Sequence, residues 1–373
     1  MLTSVSLTER EAEIVALLRR DPLIGSAAIA ARLGTTRAAV NVHLSNLGKK
    51  GVILGRGYVL GEEPPVVVVG GANMDVKARS THRVVPATSN PGHATMTAGG
   101  VGRNIAENLA RLGTRTHLVA AVGNDELGDR VLAATQRAGV HCEHVRRSAR
   151  ATGTYTAVLD ADGELVVAVA DMTATDELSP EDVGAARDLV TTAGLVVLDG
   201  NLSATTLAFA LDLATSAGVR VVLEPVSVPK AEALAGIVEA DRPLFAVTPN
   251  RDELAALTGL PVRTDPQLRK AAASLRQRGV SHVWVHLGAR GSLLSGADGD
   301  TFLDAVPTEI EDVTGAGDAS LAAFCHALLT GASAQEAAAY GHAAAALTIA
   351  STHTVRPDLT DRLVRAHSKE ATR

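Results

Sequence analysis

Short apolar and β-branched runs recur along most of this chain with amphipathic, helix-length stretches between them, which confines the fold to a parallel sheet covered on both faces. Val66–Val69 is the plainest run, four valines in succession. Further buried strands are predicted at 117–122, 195–198, 219–223, 244–247 and 282–286, with helices at 126–138, 204–216, 251–257 and 267–278. Two segments, about 76–98 and 153–170, instead alternate polar and apolar residues, the pattern of antiparallel strands. Apolar residues make up 46% of the chain, enough for a sizeable core, but aromatics only 2%, so Ala, Val and Leu must fill it. Stacking on aromatic rings is therefore not a main binding device.

The first sixty residues differ in sign from the rest. Through Glu62 they carry a net charge of +3 within an overall −6, which leaves the remainder near −9 and points to a separate partner for the small segment. Thr8 and Glu11 form a capping-box pattern ahead of an apolar stripe at Ile14, Leu17 and Leu18. Ser26 opens a second helix with Ile29, Ala30 and Leu33 inward and Gly34 at its end, and Thr36 opens a third with Val40, Leu44 and Leu47 inward. A hairpin is predicted at 52–60, turning at Gly55-Arg56-Gly57. Three helices and a basic-tipped hairpin resemble a winged helix-turn-helix over residues 1–62, which lays its third helix in the DNA major groove. On that resemblance Arg37, Asn41 and His43 reach bases or phosphates, while Lys49, Lys50 and Arg56 contact the DNA backbone. Small winged modules also serve as dimerisation or packing domains, so both readings stand. Glu62 to Pro65, with paired prolines, reads as the linker.

Glycine-bearing junctions carry the chemistry. Thr314, Gly315, Ala316, Gly317 and Asp318 precede an apolar helical stretch, where backbone N–H groups can converge on an anion and the helix dipole adds positive potential. A carboxylate at that point should repel a phosphate. Asp318 makes sense there if it accepts a proton from an attacking hydroxyl while the amides of Gly315, Ala316 and Gly317 hold the phosphoryl group in flight. Alone, the segment is equally a helix start with two turn glycines. A second cluster, Gly99, Gly100 and Gly102, precedes a helix with Ile105, Leu109 and Leu112 on one face. The Val66–Val69 run ends in Gly70-Gly71-Ala72-Asn73-Met74-Asp75, and loops after strand ends form the ligand crevice of α/β sheets, so Asn73 and Asp75 either bind a polar substrate or form a simple turn.

Over residues 65–365 these segments resemble the ribokinase-type carbohydrate and nucleoside kinases, the PfkB family: both of its signatures are present, with Asn250-Arg251-Asp252-Glu253 similar to its Asn-x-x-Glu motif between them. The resemblance implies a ribokinase-like three-layer α/β/α sandwich with a small β lid, formed by 76–98 and 153–170, preceded by the winged helix-turn-helix domain. The wording of 70–77, 88–92, 100–106 and 354–357 is most similar to the pseudouridine kinases. It implies an ATP- and Mg2+-dependent transfer to the 5′-hydroxyl of pseudouridine or a related nucleoside or sugar, with Asp318 as base. Asn250 and Glu253 would position magnesium through water, and Gly288 and Gly291 would belong to the nucleotide loop with Thr314 nearby. Asp312 and Thr314 would hold a monovalent cation such as K+, although Asp312 is equally a surface carboxylate. Asn73, Asp75, Gly99, Gly100 and Asn104 match sugar-hydroxyl positions, and Lys77, Ser89, Asn90 and Arg103 join them from the pseudouridine kinases. Arg103 is equally a solvent-facing helix residue, and Lys77 one whose stem covers apolar surface. His342 would either border the adenine or be structural. Ser320 stands where many relatives carry a bulky apolar residue, which bears on helix packing.

Two cysteines, Cys142 and Cys325, give neither a disulfide framework nor a metal cluster and fit a reducing cytoplasm. Glu9, Arg10, Glu11 and Glu13 stand where a secretory leader needs an apolar core, and the Ala-rich stretch near residue 343 is too short for a membrane span. An exposed lid sheet and a winged module would both suit a homodimer. A regulator that senses ligand through a kinase-like domain, and a sugar kinase whose winged module only mediates assembly, are the alternatives.

Overall fold

The computed structural model describes residues 6–55, 64–239 and 241–371, which divide into two compact units, 1–64 and 65–373. In the first unit helices run Glu9–Arg20, Ser26–Arg32 and Arg37–Lys49. Thr8 and Glu11 form the capping box reciprocally, and Thr36 accepts from the Ala39 N–H. Ile14, Leu18, Ile29, Val40 and Leu47 are fully buried among the three helices, with Leu17, Leu33 and Leu44 partly buried against them. The remainder of the expected hairpin after residue 55, including Arg56, lies outside the described residues, as do Glu62 and Glu63 of the linker.

In the second unit the strands are β1 (Val66–Val69), β2 (Asn73–Ser80), β3 (Gly92–Gly99), β4 (Thr116–Gly123), β5 (His141–Ser148), β6 (Thr154–Leu159), β7 (Leu165–Asp171), β8 (Leu195–Asp199), β9 (Val221–Glu224), β10 (Leu244–Val247), β11 (Val280–His286), β12 (Ser292–Gly296) and β13 (Gly299–Leu303). Nine form one sheet in the order β13-β12-β11-β10-β9-β8-β1-β4-β5. The pairs from β5 through β11 are parallel, and every residue of β1, β4 and β8 is buried, as expected for strands covered on both faces. The parallel reading fails at one edge, where β11, β12 and β13 form an antiparallel meander. Two apolar clusters fill the layers above and below the sheet, dominated by Ala, Val and Leu, with Trp284 and Phe324 among the few rings.

The lid segments fold into a separate sheet of order β3-β2-β6-β7. Its outer pairs are antiparallel, but the central pair, β2 with β6, is parallel, a correction to the expected all-antiparallel pattern. The reason is connectivity: β2 and β6 each begin at the mouth of the main sheet and run outward together. The last helix, Asp361–Ala371, extends beyond the expected boundary at 365.

Ser320 is buried where the helices Ala316–Leu329 and Ala334–Ile349 meet. A Cβ on Gly341 would stand 2.8 Å from the Ser320 carbonyl and 2.6 Å from the Trp284 ring. A small residue at each position thus lets the two helices close up, and a bulky side chain at 320 is not needed.

Candidate active site

The glycine junctions converge on one carboxylate that sequence reasoning missed. Asp199, the last residue of β8, is fully buried and accepts from the N–H groups of Gly71 and Gly102, each at 2.8 Å on Oδ2, and from Asn201 at 2.9 Å on Oδ1. A Cβ on Gly70 would lie 2.3 Å from Oδ2, so the loop after β1 can wrap this carboxylate only as glycine. Burial pushes Asp199 above the ordinary carboxylate range despite three backbone donors. It fixes the loop after β1 to the start of the helix Val101–Arg111, whose cap Gly100 has φ +100° and no room for a Cβ beside the Gly71 carbonyl.

That helix presents Asn104 to Asp318. Asn104 Nδ2 donates to Asp318 Oδ2 at 2.9 Å, while its Oδ1 accepts from Arg103 Nη1 at 3.1 Å. The guanidinium thereby orients the amide so that its donor faces the carboxylate. Arg103 is buried, not solvent-facing: it also donates to the Ala98 carbonyl at 2.9 Å and pairs with Glu107. It therefore supports Asn104 from behind. Asp318 is pushed up to about 7, by burial first and then by the charges of Asp199 and Asp75, against the pull of the Asn104 hydrogen bond.

Asp318 sits in the first turn of the helix Ala316–Leu329, where N–H groups lack intrahelical acceptors. Gly315 caps this helix at φ +81°, and a Cβ there would meet the Thr354 carbonyl at 2.0 Å. Gly317 has nothing within 4 Å of a Cβ position, an open cradle above the amides. Across the crevice Asn73 Nδ2 donates to Asp75 Oδ1 at 2.7 Å, and burial raises Asp75. Gly99 is required beside it, since its Cβ would lie 2.2 Å from Asp75 Oδ2.

Asn250 and Glu253 form a capping box on the helix Arg251–Thr258, Asn250 Oδ1 accepting from the Glu253 N–H at 3.0 Å and Glu253 Oε2 from the Asn250 N–H at 2.8 Å. A second missed carboxylate, Glu224 at the end of β9, accepts from Thr248 Oγ1 at 2.6 Å and is pushed up to about 8, by burial first and then by the charge of Glu253, with Asp318 also contributing. Its Oε1 also accepts the N–H of Val226, a β-branched residue at φ +72°, a conformation that costs ~1–3 kcal/mol and is held only where the surroundings impose it. For both missed acids the available signal was the same: a carboxylate directly after a buried apolar run, at the ligand end of an α/β sheet. Glu224 and Glu253 offer hard oxygens whose mutual repulsion a cation would relieve, so this donor set fits Mg2+.

Several expected residues are placed differently. Lys77 Nζ pairs with Asp312 Oδ2 at 2.8 Å, and Thr314 takes Asp312 Oδ1 through N–H and hydroxyl at 2.9 and 2.6 Å. These hydrogen bonds outweigh the partial burial of Asp312 and hold its carboxyl below the usual range. Ser89 and Asn90 stand in the exposed 81–91 loop beyond the β2–β3 hairpin, about 16 Å along the strand from Asp75 at ~3.3 Å per residue. Asn90 closes that loop on itself, accepting from the Val85 N–H at 2.8 Å and donating to its carbonyl at 2.9 Å, so neither residue joins the cluster. His342 Nδ1 is held by the Asp304 carbonyl at 2.9 Å and its ring stacks on Trp284, partners that suit the structural reading. Gly288 has open space around it, whereas Gly291 is fixed by the Leu303 carbonyl, 1.9 Å from its Cβ position. In the first unit Arg37, Asn41 and Lys49 are exposed and His43 half-buried. Lys50 Nζ is held by the buried Glu11 at 2.7 Å and the Ser6 carbonyl at 3.0 Å, so its first partners lie within the unit.

A sandwich of this topology, with a carboxylate at a glycine-capped helix start and a small lid sheet, is that of a phosphotransferase. The pfkB family carbohydrate kinase profile matches residues 64–361, and a winged helix-turn-helix DNA-binding profile matches 7–53. The chain belongs to the pfkB family of carbohydrate kinases, with a winged helix-turn-helix unit ahead of the kinase domain. It is 36% identical to an uncharacterized sugar kinase of Escherichia coli (strain K12), over 95% of this chain and 97% of that one. It is 32% identical to the pseudouridine kinase of the same organism, over 80% and 94%. The structure of Arabidopsis thaliana ribokinase complexed with ribose and ATP superposes with a TM-score of 0.72 at 28% identity, covering 83% of this chain and 99% of the other. It is thus an ATP-dependent sugar or nucleoside kinase. Among the described residues no helix is long and apolar enough to cross a membrane.

Proposed function

We propose that this kinase transfers the γ-phosphoryl group of ATP to the 5′-hydroxyl of pseudouridine. The observation that carries the reading is the placement of Asp318, a carboxylate with a proton affinity near neutrality, between the glycine-capped amides and the Asn73–Asp75 pair. Asp75 accepts hydrogen bonds from the two hydroxyls of a vicinal diol and so holds the ribose. Asp318, oriented by Asn104, accepts the proton of the 5′-hydroxyl as its oxygen attacks the γ-phosphorus. The new oxygen–phosphorus bond forms as the bond to the β,γ-bridging oxygen breaks and ADP leaves. The amides of Gly315, Ala316 and Gly317 hold the charge that spreads over the transferring oxygens. Asn250, Glu253 and Glu224 would hold magnesium, which when bound neutralises phosphate charge. The choice of pseudouridine rests on the 32% identity to a pseudouridine kinase.

The 36% identity to a sugar kinase favours a second reading, a free sugar bearing the same diol. Turnover with pseudouridine, ribose and other acceptors in parallel separates the two. We infer further that the first unit binds DNA through Arg37, Asn41, His43 and Lys49, supported by the profile match and by the exposure of three of them. A homodimer through the lid sheet is the assembly we propose: Leu165, Val167 and Val169 of β7 are 57%, 51% and 63% exposed, an apolar surface that a second copy would cover. Sedimentation of the protein with Val167→Glu and Val169→Glu tests it.

A further inference from the structure

We propose that His117, His141 and Glu143 bind one divalent transition-metal ion of the zinc class at the edge of the main sheet. The site is a product of register: His117 of β4 and His141 of β5 are direct partners across parallel strands, and Glu143 follows two residues on, on the same face as His141. One ligand atom from each of the three lies within 4.8 Å of the others. Glu143 Oε2 stands 3.7 Å from His117 Nδ1, and Oε1 stands 3.4 Å from His141 Nδ1. Tetrahedral zinc with bonds of ~2.0–2.1 Å needs ligand separations of about 3.4 Å, so the two rings, now stacked within 14° of parallel, must turn toward a shared ion and the set must close from within 4.8 Å. His141 and Glu143 are exposed and free to move.

The independent observation is His117 itself. It is 8% exposed, and both of its ring nitrogens are buried with no hydrogen-bond partner. An imidazole stacked at 4.4 Å on another, with two orphaned nitrogens, is an unfavourable arrangement for a structural histidine. A metal on Nδ1 removes one of those orphans. Three protein ligands leave a fourth position for water. The phosphoryl-transfer site occupies the other ends of these strands, where Gly71 and Asp199 lie, so the metal would fasten the outermost strand, β5, and stand apart from catalysis.

The full-length protein, stripped with chelator, is titrated with Zn2+ in competition with a chromophoric chelator, and with Co2+ while its visible absorption is followed. The expected result is one high-affinity equivalent in the wild type, a tetrahedral Co2+ spectrum and a raised Tm. His141→Ala and Glu143→Gln, both at exposed positions that fold without strain, should weaken binding at least ~10-fold and abolish the Tm rise, with kinase turnover unchanged. No tight equivalent in the wild type, or equal binding in wild type and both variants, overturns the proposal.

Discussion

Replacing Asn104 by alanine removes the side-chain donor it gives the Asp318 carboxylate, and the consequence falls on the pH profile more sharply than on the maximal rate. In the wild type Asp318 is pushed up to about 7, so the base loses its charge as pH falls through neutrality. The acid limb of kcat/KM should therefore bend near pH 7 and fall tenfold per pH step below it. A hydrogen bond to a charged group is worth ~1.5–3 kcal/mol, and one pH step corresponds to ~1.36 kcal/mol. Water replaces part of that bond at this half-buried position, so the lower end applies and Asn104→Ala should move the bend up by about 1 pH step. The assay is coupled ADP release from pH 5 to 9, with ATP and acceptor both below their KM so that groups of the free enzyme are reported. A wild-type limb below pH 5, or a limb that Asn104→Ala leaves in place, would refute both the assigned base and the role of its partner.

Asp318→Asn should lose ~10²–10⁴ in kcat while remaining folded. The folded-state proton affinity of Asp318 exceeds the ordinary carboxylate value, so its stability contribution is intact below about pH 4 and lost as pH rises through about 7. The asparagine variant should accordingly have the higher Tm at pH 8, with the difference vanishing at low pH by calorimetry. Gly315→Ala at φ +81°, facing the Thr354 carbonyl, should cost more than the ~1–2 kcal/mol of left-handed strain alone and depress kcat, read from denaturant midpoints and turnover. Arg37→Ala with Asn41→Ala should abolish sequence-specific retention on DNA in a gel-shift selection, whereas Lys50→Ala should lower the Tm of the first unit through Glu11 without changing base preference.

In the main sheet, the strands that the sequence announced most plainly are those buried on both faces. Val66–Val69 and Leu195–Asp199 read as continuous apolar runs because no residue in them meets water. β5 was illegible, since His141, Glu143, Arg146 and Arg147 give an edge strand the composition of a loop, and β12 and β13 are short, with Gly296 and Gly299 on either side of their turn. The parallel pairing of β2 with β6 depends on a partner some 80 residues away, which local alternation cannot reveal. The same holds at the site. Asp318, Asn104 and Asp75 stood in local motifs, but the pairing of Lys77 with Asp312 spans 235 residues and that of Lys50 with Glu11 spans 39, and each changed the reading of its lysine. Asp199 and Glu224 were visible only as acids ending buried strands, a pattern whose meaning depends on which loops the sheet order brings to them.

ATP consumption by the purified protein with pseudouridine, uridine, ribose and adenosine in parallel, with Asp318→Asn as the blank, tests the central claim most directly. Turnover with pseudouridine well above the other three is expected, falling ~10²–10⁴-fold in the variant. Turnover confined to another acceptor would contradict the substrate, and undiminished turnover in Asp318→Asn would contradict the mechanism.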